Sequence, residues 1–377
     1  MFFGGALLMI YFDNAATQGK RPECVFRGVR EGLSAAGNPN RTAGNNTKAA
    51  ALRINETREA LCEYMGIKGT AALVSGCTEA LNLAILGSSG GSVVTTAAEH
   101  NSVLRPLYAL MKRGREVRFA ETDETGKVKT DSFAELIKGA EMAVVTHVSN
   151  VTGGQNDLAE LYSVASSEGA LLIADCAQSA GHVPLNGFAD AAAVAGHKGL
   201  YAPSGCGALV IKEGVSFSPL KYGGTGSDSE NSEMPEFPPE RYEAGTGNLP
   251  GIFALNEALK WLKTNEAALS EQRKRVQTVL FEGLSRIDGI NIVSVPNKCG
   301  IVTFTVKENF DSAVWCEELF ERYGIMCRGG IHCAPLMHKR LGTLKSGAVR
   351  FSVEASNTER EAEYVVRSVR ELIKEGF

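Results

Sequence analysis

The segment AAAVAGHKGLYAPSGCGALVI, Ala191 to Ile211, decides the fold. Its first five residues are small and apolar, as a strand covered on both faces requires. Lys198 follows with His197 at its side, and a glycine-rich turn leads into a second apolar strand. An ammonium at the end of a buried strand gives up hydration, so it persists there only where something uses it. One use is a Schiff base with an aldehyde. The alternative is a solvated lysine at a strand end, and this segment alone leaves both open.

Outward from this segment, between residues 47 and 212, short apolar runs alternate with helical patterns. The runs are Ala71–Val74, Ser92–Thr95, Glu116–Ala120, Met142–Val148, Ala170–Ala174 and Ala191–Ala195. Between them lie stretches such as Thr47–Met65, where Ile54, Leu61, Tyr64 and Met65 share a helical face. Strands separated by helices imply right-handed crossovers and a mostly parallel sheet covered on both sides. Functional loops then follow the carboxyl ends of the strands. Ser216–Asn248, rich in Gly, Ser, Pro and Glu, has no period and is expected to be functional or mobile. Beyond it, long helices are expected over Leu249–Leu284, a strand at Gly300–Val306, a helix near Asp311–Tyr323 and a strand at Ala348–Val353. A last helix opens with a capping box, Thr358 to Glu361, and carries an apolar stripe of Ala362, Val365, Val366, Val369, Leu372 and Ile373. The expected organisation is a large α/β domain over residues 16–250 and a smaller α+β domain formed by 1–15 and 251–377.

The 377 residues have room for roughly two domains of ~100–200 residues. Apolar content of 44%, charged content of 22% and a formal charge of −4 are those of a soluble enzyme without a basic field for nucleic acid. Nine cysteines, an odd number with no CxxC pair, fit neither a disulfide framework nor a zinc ribbon, so no metal is expected and the reducing cytoplasm is. The apolar start, Met1–Leu8, has no basic flank and is far short of the ~20 residues that span a bilayer, so no membrane association is expected. Met9 is an equally good initiator.

The residues that follow the strands make one set of chemical demands. Ser75-Gly76-Cys77-Thr78 turns from a strand into a helix start, where free amides receive a phosphate. His100 in AAEHNSVLRP can stack on a ring, Asp175 at the end of Leu171–Ala174 can keep a ring nitrogen protonated, and Asn150 and Gln178 can hydrogen-bond a phenolic oxygen. Each alone is unremarkable: Asp175 would serve as a helix cap, and a lone histidine is more often structural. With Lys198 they describe the needs of pyridoxal phosphate.

In YFDNAAT (Tyr11–Thr17), SGCTEALN, AEHNS, HVSNVTG, ADCAQSAGHVP, AGHKG, YEAGTGN, RGGIHCAPLMHKRLG and VRFS, the chain resembles fold-type I, class V aminotransferase-like enzymes. Among these it is most similar to the cysteine desulfurases and selenocysteine lyases. The resemblance implies that Lys198 carries the covalent link to pyridoxal 5'-phosphate and shuttles protons. It implies that Asp175 pairs with the ring nitrogen, Asn150 and Gln178 contact the phenolic oxygen, and His100 stacks. Thr78, the Cys77 amide and His197 would hold the phosphate, with Thr246 reaching in from a second subunit of a homodimer. Arg350 would bind the substrate carboxylate, with Arg328 and Arg41 bordering the same site. Two positions depart from the pattern: Ala195 stands where similar enzymes often place a phosphate-donating Ser or Thr, and Asn40 where a histidine is common.

Cys333 separates the reactions open to such a site. Removing sulfur from cysteine needs a nucleophile that takes the substrate's sulfur, and this cysteine lies in a loop between glycines and a proline. His332, His338, Lys339 and Arg340 are expected to supply positive charge that favours the thiolate. The short stretch to Arg350 resembles the short-loop branch of the family. The expected function is a cysteine desulfurase that leaves a persulfide on Cys333 and releases alanine, with a possible sulfur-acceptor protein as partner. A selenocysteine lyase or an aminotransferase on the same scaffold remains open, as does a degenerate, non-catalytic scaffold.

Overall fold

The computed structural model describes residues 9–35, 45–226, 230–307 and 310–377; Met1–Leu8, Asn40 and Arg41 lie outside the described residues. The chain begins with β1 (Ile10–Tyr11), α1 (Glu23–Ser34), α2 (Asn45–Met65), β2 (Gly69–Val74), α3 (Cys77–Leu86), β3 (Val93–Thr96), α4 (Asn101–Lys112) and β4 (Val117–Ala120). It continues through α5 (Thr130–Leu136), β5 (Met142–Thr146), α6 (Leu158–Ser167), β6 (Leu171–Asp175), β7 (Ala191–Ala195) and β8 (Gly207–Lys212). After α7 (Leu249–Ser285) come β9 (Ile290–Ile292), β10 (Ile301–Val306), α8 (Ser312–Tyr323), β11 (Ile325–Met326), α9 (Pro335–Arg340), β12 (Val349–Ser352) and α10 (Glu359–Lys374).

Seven strands form one sheet in the order β2-β8-β7-β6-β5-β3-β4. The pairs β7–β6, β6–β5, β5–β3 and β3–β4 are parallel, while β8 runs antiparallel to both of its neighbours. Side-chain alternation divides the interior between the two faces of this sheet. Ala143, Val145, Leu172, Ala174, Ala192 and Val194 pack with residues of α2, α5, α6 and the first half of α7. Met142, Val144, Ile173, Ala191, Ala193 and Ala195 pack with α3 and α4 on the other side. The expected mostly parallel, doubly covered sheet is what the chain builds.

A second assembly surrounds the antiparallel sheet β12-β10-β9. β1 and β11 pair in parallel, and bridges Asp13–Ser352 and Arg328–Arg350 join that pair to β12. The core here holds Phe12, Phe304, Trp315 and Phe351, the second half of α7 (Val276, Leu280, Leu284), and the α10 stripe from Ala362 to Leu372, with Ile373 partly buried beside it. The capping box of α10 forms, with Thr358 and Glu361 each accepting from the other's backbone amide.

Three expectations change in detail. The helical region after 249 is a single 37-residue helix, whose first half serves one core and second half the other. The run Met142–Val148 stops as a strand at Thr146, because the chain turns back and the Ser149 amide donates to Gly154 O at 2.9 Å. Residues 216–248 contain no helix or strand among those described, but they are pinned: Tyr242 Oη accepts from the Phe217 amide at 3.0 Å, and Arg58 pairs with Glu243 at 2.8 Å.

Candidate active site

Five chain segments leave the same edge of the large sheet, after β2, β3, β5, β6 and β7, and line one cavity of about 340 Å³. Its walls include Cys77, Thr78, His100, Asn150, Asp175, Gln178, His197, Lys198, Arg328 and Arg350. Ten of the positions selected from sequence therefore meet in one place. A volume near the lower end of the ~300–1,000 Å³ common for ligand sites suits a cofactor of modest size.

Burial shapes the electrostatics. It lowers the proton affinity of Lys198, partly offset by Cys77 and Asp175, so its neutral amine is more accessible than that of an exposed lysine. Burial also brings His100 and His197 down to about 4, so both are neutral near pH 7. His100 is the N-cap of α4: its Nδ1 accepts from the Ser102 amide at 3.0 Å, which leaves the ring hydrogen on Nε2. Asp175, buried at the end of β6, accepts from the Ala177 amide at 2.9 Å and from the Cys77 thiol at 3.4 Å.

Arg350, 1% exposed, donates through Nη1 to Asn150 O and through Nη2 to Asp13, each at 3.0 Å. Arg328 is set beside it by two backbone hydrogen bonds between the two residues. Asn150 donates through Nδ2 to His332 O at 2.8 Å and Gln178 through Nε2 to Ala15 O at 3.1 Å, which orients both amides at the cavity wall.

Two observations test the fit to pyridoxal phosphate. The first turn of α3 starts at Gly76, which supplies no side-chain cap, and a Cβ there would meet nothing within 4 Å. That leaves amides and room for an anion. In addition, His197 Nδ1 and Arg350 Nε are buried without a hydrogen-bond partner, as side chains shaped for an absent polar group are. The donor set fits the cofactor.

Other positions fall elsewhere. Thr246 lines a larger, adjoining cleft of about 1350 Å³ that shares Ser75 and Glu79 with the cavity. Cys333 is partly exposed in the loop between β11 and α9 and is not among the cavity-lining residues, although Arg328 and His332 of the same loop are. Its Sγ lies 3.9 Å from Arg328 Nη2. The expected histidine charge beside Cys333 is corrected. Burial lowers His332 well below its ordinary value and His338 to about 4, so both are neutral, and Arg340 turns away to Asp123 O. Arg328 reaches the thiol instead, and Arg350 also interacts with it electrostatically.

Sequence reasoning missed Asp13, Thr146 and Glu99. Asp13 pairs with Arg350 across the chain, for which nothing local gives a signal. Glu99 is fully buried beside His100, bonds Thr96 Oγ1 at 2.7 Å and the Thr146 amide at 3.0 Å, and is raised by that burial to about 8. Among the described residues no group of three or more His, Cys, Asp or Glu can hold a metal, and no helix is long and apolar enough to cross a membrane.

Comparison with known proteins identifies the family and the fold. A family model for class-V aminotransferases matches residues 10–365. A probable cysteine desulfurase of Pyrococcus abyssi is 32% identical, covering 97% of this chain and 94% of that protein. Another from Methanothermobacter thermautotrophicus is 31% identical over 97% of this chain and 95% of its own length. The solved cysteine desulfurase of Thermococcus onnurineus superposes with a TM-score of 0.89 at 30% identity, covering 97% of this chain and 95% of that one. The chain belongs to the class-V aminotransferase family.

Proposed function

We propose that the protein is a pyridoxal-phosphate-dependent cysteine desulfurase. The observation that carries the reading is a cysteine placed beside a cavity-lining arginine, Cys333 against Arg328, on the loop that also sends His332 into the cavity wall. In the overall reaction the sulfur of L-cysteine passes to the Cys333 thiol, giving a persulfide there and L-alanine as the other product. The named relatives, a probable cysteine desulfurase and a solved cysteine desulfurase that both match over nearly the full length, support the same assignment.

Pyridoxal phosphate, when bound, supplies an electron-accepting ring that weakens bonds at the substrate's α-carbon. The chain's residues would hold it as follows. Lys198 offers an amine whose proton burial has loosened. Asp175 would keep the ring nitrogen protonated, the neutral ring of His100 would stack, and Asn150 and Gln178 would contact the phenolic oxygen. The α3 amides at Cys77 and Thr78, with His197, would receive the phosphate. Arg350 would bind the substrate carboxylate, its orphaned Nε being a free donor for it. Arg328 borders the same position and faces the Cys333 sulfur.

The active form is read as a cytoplasmic homodimer, in which Thr246 of one subunit completes the phosphate site of the other across the adjoining cleft. A sulfur-acceptor protein would then discharge the persulfide. The deciding experiment is alanine release from L-cysteine by wild type and Cys333→Ser. Loss of ~10²-fold or more is expected, the scale on which a catalytic group registers. Equal turnover would move the reading to an aminotransferase or a lyase, and a parallel assay with selenocysteine separates those two.

A further inference from the structure

His332 and Cys333 have φ of +48° and +55°, two successive side-chain-bearing residues in the left-handed region. Such a pair persists only where its surroundings hold it. The backbone is clamped on both sides, with Asn150 Nδ2 donating to His332 O at 2.8 Å and the Asn101 amide donating to Cys333 O at 2.7 Å. A third clamp acts through the side chain. His332 Nε2 contacts Arg328 O at 3.3 Å, and a carbonyl can only accept, so the hydrogen of His332 is on Nε2. Its Nδ1 is then an acceptor, and the partner 3.1 Å away is His338 Nε2, which must donate. His338 Nδ1 in turn accepts from the Thr343 hydroxyl at 2.8 Å. The chain Thr343–His338–His332–Arg328 has one hydrogen per contact, and both rings are buried. Burial keeps both neutral, as this pattern needs. A second proton on His332 Nδ1 would face the Nε2 hydrogen of His338 and break it.

We propose that His338 is a positioning residue for sulfur transfer: through His332 it holds the left-handed His332–Cys333 backbone, and so keeps the Cys333 thiol where it meets the substrate's sulfur. This rests on Cys333 being the sulfur acceptor, and it assigns a role to a residue on α9 that touches neither substrate nor cofactor. Gln can place an amide hydrogen where Nε2 carries one, whereas Phe fills the space without it.

In the cofactor-loaded enzyme, His338→Phe should lower kcat on cysteine about tenfold while KM stays within about twofold, and His338→Gln should recover most of kcat. Peptide mapping of iodoacetamide labelling without substrate should show Cys333 modified several-fold faster in His338→Phe, as the freed loop samples open conformations. Nitrogen-15 spectra of the histidine-labelled wild-type chain should show both rings as neutral Nε2–H tautomers at pH 7. A charged or Nδ1–H ring at either position overturns the proposal, even if His338→Phe does not fold. So does a folded His338→Phe with wild-type kcat and labelling, or His338→Gln as impaired as the phenylalanine. If Cys333→Ser releases alanine at the full rate while the His338 variants still change the labelling, the relay stands and the sulfur-acceptor reading fails.

Discussion

Ala195 shows how much a single side chain can withhold. It is the last residue of β7, lines the cavity three positions before Lys198, and carries a methyl where similar enzymes often place a phosphate-donating hydroxyl. A hydrogen bond to a charged group contributes ~1.5–3 kcal/mol. Ala195→Ser should therefore tighten pyridoxal phosphate binding about tenfold or more, as read by fluorescence titration of the cofactor-free chain. Unchanged affinity would mean that another donor already occupies that place. Lys198, Asp175 and the Ser75–Thr78 turn are legible in sequence because each lies at or within a few residues of the end of a short apolar run. Asp13 and Glu99 are not, because their importance lies in partners brought by other strands.

The elements matter here through how closely their ends approach. β8 enters the sheet between β2 and β7, and its first residue, Gly207, pairs in register with Val74 and with Ala195. A Cβ on Gly207 would stand 2.6 Å from Gly76 Cα and equally close to Val194 O. The glycine is thus what allows the Ser75–Thr78 turn to lie against the strand that leads to Lys198. Gly207→Ala should cost about 1–3 kcal/mol of stability by overpacking and weaken cofactor retention, measured by equilibrium dialysis. Full retention of the cofactor with normal stability would show that the turn has slack this packing does not reveal. The helix and strand pattern of this region is readable from period and glycine placement, while the contact between two glycines far apart in the chain is a product of strand register.

At the scale of the molecule, one buried carboxylate ties the two cores together. Glu354, after β12, binds Arg273 of α7 at 2.7 Å, His182 beyond β6 at 2.8 Å, and Gln18 near the N-terminus at 3.0 Å. Both Glu354 and Arg273 are almost wholly buried. Burial opposes ionisation of Glu354, but Arg273 and His182 outweigh it and hold the carboxyl far below the usual carboxylate range. A depressed folded-state value means stability that is present above the unfolded value of about 4.3 and lost as pH falls toward the folded one. Glu354→Gln leaves Arg273 buried and unpaired, so a loss of about 3–5 kcal/mol is expected near pH 7, with Tm lower by on the order of 10 °C. The Tm gap between wild type and variant should narrow as pH falls below about 4.3. A gap that stays constant into acid would rule out this role.

The sequence by itself determined the α/β architecture, the alternation of strands and helices in the large sheet, and the candidate residues that follow those strands. It also determined the family resemblance, because those signals act over a few residues: apolar period, capping, glycine turns. The tertiary structure decided which distant groups meet. It placed Asp13 on Arg350, Arg328 against Cys333, two neutral histidines where charge was expected, and one long helix shared by two cores. These contacts depend on strand register and on the desolvation that packing imposes, and neither is written in any local stretch of the chain.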